Sequence, residues 1–358
     1  MDETQIEPLV KIRGRGTAWN PPNRFEPIDF VPDWDVLDPD EPGPRTQFLR
    51  DASKSIISRN DSPDIPFTAS VNPYRGCEHG CIYCFARPTH EYLGFSPGLD
   101  FETKILVKED APALLRRELA SARWEPQVIA MSGITDCYQP AERKLRITRG
   151  VLEVLAEFRN PVSIVTKNHL VTRDVDLLGE LASIDAAQVN YSVTSLDEKL
   201  QRVMEPRTST PKRRLEAIEK LAKAGVPVRV LVAPVVPGLT DHEMPAILRA
   251  VADAGATAAS FIPLRLPYAI KDLFEQWLEA HFPDRKDKVL NRIREIRGGK
   301  LNDPNFGTRM QGQGIFAEQM RILFDAAARK ARLDRKLPDL TTEHFRRPHD
   351  QRGQMGLF

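Results

Sequence analysis

The chain of 358 residues is long enough for one α/β barrel or for two average domains. It is 41% hydrophobic and 28% charged, which is ordinary for a globular protein. Lys and Arg number 51 and Asp and Glu 50, which excludes a global basic field for nucleic acid but leaves a local patch open. No apolar run reaches the ~18 residues of a membrane helix, and the start lacks the features of a signal peptide. We therefore expect a cytoplasmic protein without membrane contacts.

Residues 1–66 are predicted to form a Pro-rich extension outside the core. They contain ten prolines, and proline resists both helices and central strands. Contact with nucleic acid would need basic side chains, and five near the two chain ends could bind phosphates: Lys11, Arg13, Arg15, Arg346 and Arg347.

From residue 67 to residue 267, segments typical of strands and helices alternate. The predicted strands span residues 67–72, 127–134, 161–167, 187–194, 226–236 and 257–264. The predicted helices between them span residues 110–123, 145–158, 174–183, 211–224 and 241–254. This alternation implies a parallel sheet with right-handed crossovers, either doubly wound or a partial barrel. Residues 268–358 are predicted to be mainly helical, with a Gly-rich loop at 297–314 beside a site or an opening.

Three of the four cysteines lie within eight positions: Cys77, Cys81 and Cys84 are spaced C-x3-C-x2-C directly after the first predicted strand. Functional loops of parallel sheets follow the carboxyl ends of strands. Gly76 and Gly80 would let this loop turn tightly around a bulky guest. In a reducing compartment, such crowding indicates a metal site rather than disulfides.

The identity of the metal stays open on spacing alone. A [4Fe–4S] cluster normally takes four cysteines, so three would leave one iron free to bind another molecule. Zinc held by the three cysteines and His79 is an alternative, although structural zinc sites usually separate two ligand pairs. We expect His79 to be a loop spacer rather than a ligand. The three cysteines could also lie on the buried face of a core helix, but this is disfavoured because Gly76 and Gly80 would each weaken such a helix.

The cysteine spacing ahead of an α/β run resembles the radical S-adenosylmethionine (SAM) superfamily. Runs between residues 67 and 265, among them Ile164-Val-Thr-Lys-Asn, Tyr191-Ser-Val-Thr-Ser and Met204-Glu-Pro-Arg, resemble the spore photoproduct lyase family. The resemblance implies a partial (β/α)6 TIM-type barrel in which the cysteine loop holds a [4Fe–4S] cluster. An electron from flavodoxin or ferredoxin would let SAM yield a 5′-deoxyadenosyl radical, which abstracts hydrogen from an unidentified substrate.

The resemblance also implies where SAM binds. Thr135 and Asp136 match the site for the amino acid moiety of SAM, and Lys167 would bind a carboxylate or ribose hydroxyls. Ser192 matches a serine near SAM, with Ser195 as the competing position. The backbone of Ala233 would contact adenine, and Tyr83 would stack on adenine or shield the cluster. Ordinary structural roles remain open for several of them: a helix N-cap for the first pair, a solvated strand end for the lysine and a packed core residue for the alanine.

Three positions depart from the lyase family. Gly133 stands where the lyase has a cysteine that returns hydrogen, so Cys137, four residues later, becomes the candidate catalytic residue. Phe85 replaces a tyrosine after the third cluster cysteine, and Arg207 replaces a small residue. The resemblance therefore supports SAM cleavage by this protein more strongly than it supports thymine-dimer repair. A DNA repair lyase and a non-enzymatic zinc or iron–sulfur module remain the alternatives.

Overall fold

The computed structural model of the chain describes residues 12–26 and 44–348, so Lys11 lies outside the described residues. The strands in these ranges are β1 (Gln47–Arg50), β2 (Ile57–Arg59), β3 (Ala69–Val71), β4 (Tyr74–Arg75), β5 (Lys104–Val107), β6 (Ile129–Met131), β7 (Val162–Thr166), β8 (Ala187–Ser192), β9 (Val228–Val235) and β10 (Ala258–Pro263).

The α-helices of the same ranges are α1 (Leu99–Thr103), α2 (Ala111–Ala120), α3 (Glu142–Leu145), α4 (Ile147–Phe158), α5 (Val175–Ala182), α6 (Glu198–Met204), α7 (Pro211–Lys223), α8 (Met244–Asp253), α9 (Ile270–His281), α10 (Lys286–Ile296), α11 (Thr308–Gln311) and α12 (Gly314–Lys330). Short 3-10 helices span Arg87–Leu93, His169–Asp174, Asp241–Glu243 and Pro283–Arg285. None of the helices within the described ranges has the length and apolar character needed to cross a bilayer.

Six strands form a parallel sheet in chain order, β3, β6, β7, β8, β9 and β10. Helices fill every connection from β6 onward, which is the arrangement of a partial (β/α)6 barrel. The fold expected from the resemblance is confirmed. In register, Val71 lies beside Met131 and Met131 beside Ile164, so the first three strands end close together. The loops that follow these ends therefore share one edge of the sheet.

The barrel is stabilised by apolar side chains between the sheet and its helices. Strand β8 is buried along nearly its whole length, as expected for a parallel strand covered on both faces. Helix α4 buries Val151, Leu152 and Leu155, the face that its sequence periodicity predicts. The strand predicted at 127–134 ends earlier, at Met131, because Ser132 adopts a positive φ of 72° and turns the chain.

The Pro-rich segment contributes strands that the sequence pattern did not indicate. Strand β1 pairs with β5 in a small second sheet, and β2 lies antiparallel to β3 at one edge of the barrel sheet. Both strands are only three or four residues long, which is too short to produce a recognisable periodicity.

The Gly-rich loop at 297–314 reaches across the open side of the barrel. The Arg297 guanidinium donates hydrogen bonds to the carbonyls of Pro263 and Leu264, at 3.0 and 2.8 Å, where the edge strand β10 ends. Arg309 in the same loop pairs with Asp64 at 2.6 Å. Since Asp64 follows β2, the opposite edge strand, the loop links the two edges of the barrel sheet.

Arg297 offers a test of this link. Its side chain is buried and also donates to the Arg309 carbonyl at 2.7 Å, so Arg297→Met leaves several buried carbonyls without a donor. We expect the free energy of unfolding to fall by about 2–3 kcal/mol in urea titrations. Arg321→Met removes an exposed pair with Glu318 and serves as the control, with no measurable change. Equal stabilities of the two variants would contradict the structural role of Arg297.

Candidate metal centre at the barrel mouth

The three clustered cysteines lie on the loop that follows β3 and β4. Two glycines make its path possible, since Gly76 and Gly80 have φ values of +82° and +67°. A Cβ at Gly80 would lie 2.7 Å from Glu102 Oε2, and one at Gly76 would lie 3.0 Å from the Phe101 carbonyl. No larger residue fits either position, so the tight turns expected from the sequence are present.

The cysteine thiols are close enough to influence one another. Cys77 and Cys81 are 6% and 5% exposed, and Cys84 is half-buried. Burial raises the pKa of Cys77 well above its ordinary value, with contributions from Asp136 and from the other two thiols. Burial likewise raises the pKa of Cys81 to about 12. The buried thiols of Cys77 and Cys81 suit a metal, because metal binding displaces their protons and removes the cost of burying them.

A buried ion pair supports the loop from the side of α1. Arg87 and Glu102 are both fully buried and lie 2.5 Å apart. Arg87 Nε donates to the Cys81 carbonyl at 3.0 Å, while Glu102 Oε2 accepts from the Gly16 amide at 2.9 Å. The pair therefore ties the cysteine loop to the N-terminal arm at residues 12–18. No sequence motif indicated this pair, whose members belong to different elements.

Two further contacts connect the loop to the barrel. Gln139, in the loop after β6, donates to the Gly76 carbonyl at 3.2 Å and accepts from the Glu78 amide at 2.9 Å. The Ile82 amide donates to the Met204 carbonyl at the end of α6, at 3.1 Å. The cysteine backbone is thus held both before and after Cys81.

Asp136 is held beside the first cysteine by groups from the next strand. Its carboxylate accepts from Thr166 Oγ1 at 2.8 Å and from the Lys167 amide at 3.0 Å. Thr135 behaves differently, since it is only 2% exposed and its hydroxyl donates to the Tyr74 carbonyl at 2.8 Å. Of the pair singled out in the sequence, Asp136 lies near enough to Cys77 to raise the pKa of its thiol, and the Thr135 hydroxyl is engaged with the backbone.

Lys167 and Tyr83 lie in a buried polar network around Glu205. Lys167 Nζ donates to the Tyr83 hydroxyl at 2.7 Å and pairs with Glu205 Oε1 at 3.2 Å. Glu205 also accepts hydrogen bonds from Tyr83, Thr194 and the Arg214 guanidinium. The solvated-strand-end alternative for Lys167 is therefore wrong. Glu205 and Arg214 were missed as site residues, although the Met204-Glu-Pro-Arg run had drawn attention to that segment.

Charge compensation determines the ionisation of this network. Burial alone would raise the pKa of Glu205, but the positive charges of Arg214 and Lys167 outweigh it and hold the pKa far below its ordinary value. Burial would lower the pKa of Lys167, yet the neighbouring Cys81 and Glu205 raise it overall. Glu205 is therefore an anion and Lys167 a cation, with the cation directed toward the cysteine loop.

The remaining candidate SAM residues lie along the ends of β8 and β9. Ser192 is buried at the end of β8, where its carbonyl accepts from Arg214 at 3.2 Å. Ser195 Oγ donates to Glu243 at 2.7 Å and accepts the Asp197 amide, so it organises the start of α6. Ala233 is half-buried, and its carbonyl accepts from Thr194 at 3.4 Å. The engagement of Ser195 leaves Ser192 as the better placed serine.

His79 is not turned toward the thiols. Asn168 Oδ1 accepts from the Leu170 amide, which directs the Asn168 amide nitrogen to His79 Nε2 at 2.9 Å. His79 Nδ1 lies 3.5 Å from Asp136 Oδ2. Burial lowers the pKa of His79 to about 4, so the ring is neutral. Both ring nitrogens therefore face barrel residues, and the contact with Asn168 connects His79 to the barrel, a role beyond that of a loop spacer.

Comparison with known proteins places this site in a family. The family model of the radical SAM superfamily matches residues 71–251, half of the chain, including all three loop cysteines. An uncharacterized protein of Mycobacterium tuberculosis (strain ATCC 25618 / H37Rv) is 40% identical over 245 residues, which are 68% of this chain and 71% of the relative. The chain belongs to the radical SAM superfamily.

More distant similarities agree with this assignment. An uncharacterized protein of Methanocaldococcus jannaschii is 29% identical over 199 residues, covering 56% of this chain and 71% of the relative. The solved structure of spore photoproduct lyase complexed with dinucleoside spore photoproduct has a TM-score of 0.54 and covers 79% of each chain at 17% identity. At that identity the similarity concerns the radical SAM fold alone.

Within this radical SAM fold, Cys137 lies in the hydrophobic core. It has no exposed surface, its amide donates to Ser132 Oγ at 2.8 Å, and its carbonyl accepts from Thr148 at 2.7 Å. Phe85 is 55% exposed and carries no hydroxyl. The core position of Cys137 gives no support to the catalytic role considered for it, because a thiol enclosed by packed side chains has no room to meet a substrate.

The basic residues singled out in the sequence do not converge. Arg346 Nε donates to the Glu157 carbonyl at 3.0 Å, and Arg347 donates to the Trp124 carbonyl at 2.8 Å. These carbonyls precede β7 and β6, at the end of the barrel opposite the cysteine loop. Arg15 lies beside α1, where it donates to the Glu102 carbonyl at 2.9 Å. Among the described residues there is thus no single phosphate-binding patch formed by this set.

The buried Glu205 carboxylate allows a specific prediction about stability. Glu205→Gln keeps the shape of the side chain but leaves Arg214 and Lys167 without their counter-charge. Removing one partner of a buried ionic network should lower the free energy of unfolding by about 3–5 kcal/mol in urea titrations. Glu219→Gln, in an exposed pair with Lys223, is the control and should leave stability unchanged. A Glu205→Gln protein as stable as the control would contradict the charge assignment.

Proposed function

We propose that the chain is an enzyme that binds a [4Fe–4S] cluster through Cys77, Cys81 and Cys84 and uses it on SAM. The observation that carries the proposal is the buried C-x3-C-x2-C loop at the barrel mouth of a radical SAM superfamily member. Three cysteine ligands leave one iron for SAM. Once reduced by one electron, such a cluster supplies the reductive cleavage of SAM to methionine and a 5′-deoxyadenosyl radical, which abstracts hydrogen from the substrate.

The residues around the loop have the chemistry that SAM requires. Asp136, fixed beside Cys77, offers a carboxylate to the SAM ammonium group, and the Lys167 ammonium offers a donor to the SAM carboxylate. Ser192 and the Ala233 backbone, on the next two strands, are available to the nucleoside. Tyr83 shields this region from solvent, since it is 7% exposed. The protein's part is to position SAM and exclude water.

The two alternative functions receive less support. A zinc module would need His79 as fourth ligand, but both its ring nitrogens face Asn168 and Asp136. DNA photoproduct repair is not part of the proposal, because Gly133 and Phe85 lack the hydrogen-returning groups and Cys137 is enclosed in the core. The substrate class therefore stays open, while the electron donor is a one-electron reductant.

Cysteine replacement tests the cluster. Anaerobically reconstituted protein should be brown, contain iron and sulfide, and release 5′-deoxyadenosine with dithionite and SAM. Cys77→Ser should abolish the release of 5′-deoxyadenosine, because it removes one of three ligands.

Cys137→Ser is the matched control for this experiment, since it removes the one thiol outside the loop. We expect it to retain iron, sulfide and 5′-deoxyadenosine release. Zinc without sulfide in the anaerobically purified protein would reject the proposal, and so would a Cys77→Ser protein that still releases 5′-deoxyadenosine.

Replacement of Lys167 tests SAM binding apart from the cluster. Lys167→Met should keep its iron and sulfide, because Lys167 is not a ligand. Its dissociation constant for SAM, measured by calorimetry, should rise about tenfold, the equivalent of one charge-assisted hydrogen bond. Lys220→Met, on the exposed face of α7, should match the unmodified protein. Unchanged SAM affinity in Lys167→Met would remove Lys167 from the binding site.

A further inference from the structure

A groove of about 280 Å³ lies on the outer side of the cysteine loop. Its walls are the N-terminal arm at residues 12–18, the last turn of α6 and the outer face of α9. None of the strand-end residues Asp136, Lys167, Ser192 and Ala233 lines it. The groove is therefore separate from the barrel side of the loop, where SAM is proposed to bind.

The floor of the groove is formed in part by the cysteine loop. Ile82, which lines it, is bonded covalently to the ligand Cys81. In the wall, Gly16 packs so closely on the loop that a Cβ there would lie 1.8 Å from the Gly80 carbonyl oxygen. Trp277 forms part of the opposite wall, held by a 3.0 Å hydrogen bond to the Val203 carbonyl. Since electron tunnelling weakens steeply with distance, this short path makes the groove a favourable place for an electron to enter.

The Arg side chains that line the groove give it a positive charge. Its lining includes Arg13, Arg15 and Arg202 and no Asp or Glu among the described residues. Arg13 and Arg202 are exposed, and neither guanidinium has an ion-pair or hydrogen-bond partner within residues 12–26 and 44–348. Arg15 and Arg207 lie near the carboxylates of Glu102 and Glu78, and Arg207 pairs with Glu78 at 3.0 Å, so the uncompensated charges are those of Arg13 and Arg202. Unpaired cations around a partly apolar floor fit an acidic partner.

We propose that this groove is the docking surface for the acidic protein that delivers the reducing electron. The proposal rests on the function proposed above. A small acidic electron carrier, such as a flavodoxin or a ferredoxin, seats its negative face against Arg13 and Arg202 with its redox group toward Ile82. One electron leaves the carrier and is accepted by the cluster, and no bond is made or broken.

The position of the cations favours an electron carrier over nucleic acid. A nucleic-acid substrate would have to reach the barrel mouth, where hydrogen abstraction is proposed, whereas this groove lies behind the cysteine loop. Ile82, one of the apolar side chains that line the groove, is adjacent in sequence to the proposed cluster ligand Cys81. A carrier needs only proximity to the cluster, and charge complementarity would act mainly by raising its association rate.

The test is the rate at which reduced carriers reduce the reconstituted cluster, followed by loss of visible absorbance under anaerobic conditions. Fully reduced flavodoxin and a reduced ferredoxin are the probes. The relevant carrier is the one that reduces the unmodified protein. With this carrier at low salt, we expect the second-order rate constant of the Arg13→Glu/Arg202→Glu protein to be at least about tenfold below that of the unmodified protein. The rate of the unmodified protein should fall with added salt, while that of the variant should hardly change.

Two controls separate this proposal from the proposed function. Lys212→Glu/Lys330→Glu makes the same change in net charge at exposed positions of α7 and α12 and should retain the original rate. Dithionite, which needs no docking, should reduce the cluster and drive 5′-deoxyadenosine release equally in all three proteins. Loss of iron or of the dithionite-driven reaction in the unmodified protein would instead refute the proposed function.

Three results would overturn the docking surface while leaving the cluster intact. The first is an equal rate for the Arg13→Glu/Arg202→Glu protein and the unmodified protein with both carriers. The second is reduction of the unmodified protein by dithionite but by neither carrier. The third is salt-sensitive binding of a DNA duplex that the double substitution abolishes without changing the carrier rates, which would assign the groove to a polyanion.

Discussion

An irregular loop that carries three cysteines keeps one conformation only if its backbone is held by other elements. The cysteine loop has almost no regular secondary structure, so its own hydrogen bonds cannot fix it. Neighbouring elements supply the restraint through Arg87, Gln139 and the Met204 carbonyl. Because these contacts come from separate parts of the chain, the loop is defined only when the barrel, α1 and the N-terminal arm are assembled together.

Buried charge is the second constraint on the site. Burying Glu205, Arg214 and Lys167 together is costly, and apolar residues in their place could stabilise the protein as well or better. What the network provides is position, since two cations share one carboxylate and Lys167 is held beside the thiol of Cys81. A binding site for a zwitterion such as SAM needs fixed charges of this kind, because mobile ones would have to be ordered on binding.

The cysteine loop separates two environments of opposite character. On the barrel side, Glu205 compensates the charges of Lys167 and Arg214, so these charged groups are paired. On the outer side, Arg13 and Arg202 are exposed and unpaired among the described residues. This asymmetry gives the N-terminal arm a part in the site, since residues 12–18 both support the loop through Glu102 and form a wall of the outer groove.

The sequence by itself indicated the parallel sheet with its helical crossovers and the cluster of three cysteines. Six strand segments with helices between them leave few topologies, and three cysteines within eight positions can meet without any knowledge of the tertiary fold. The short strands β1 and β2 stayed hidden because three or four residues show no periodicity. The successful predictions and the missed strands have the same cause, because a linear sequence directly carries only local patterns.

The tertiary structure decided which polar side chains belong to the site. Asp136 and Thr135 are adjacent in sequence, yet the Asp136 carboxylate accepts from Thr166 and the Lys167 amide while the Thr135 hydroxyl donates to the Tyr74 carbonyl. Cys137 could have been catalytic from its position in the sequence, but packing encloses it in the core. Glu205 meets Tyr83 across more than a hundred residues of sequence. The role of a polar group depends on its hydrogen-bond partners, and these are brought together only when distant segments fold against one another.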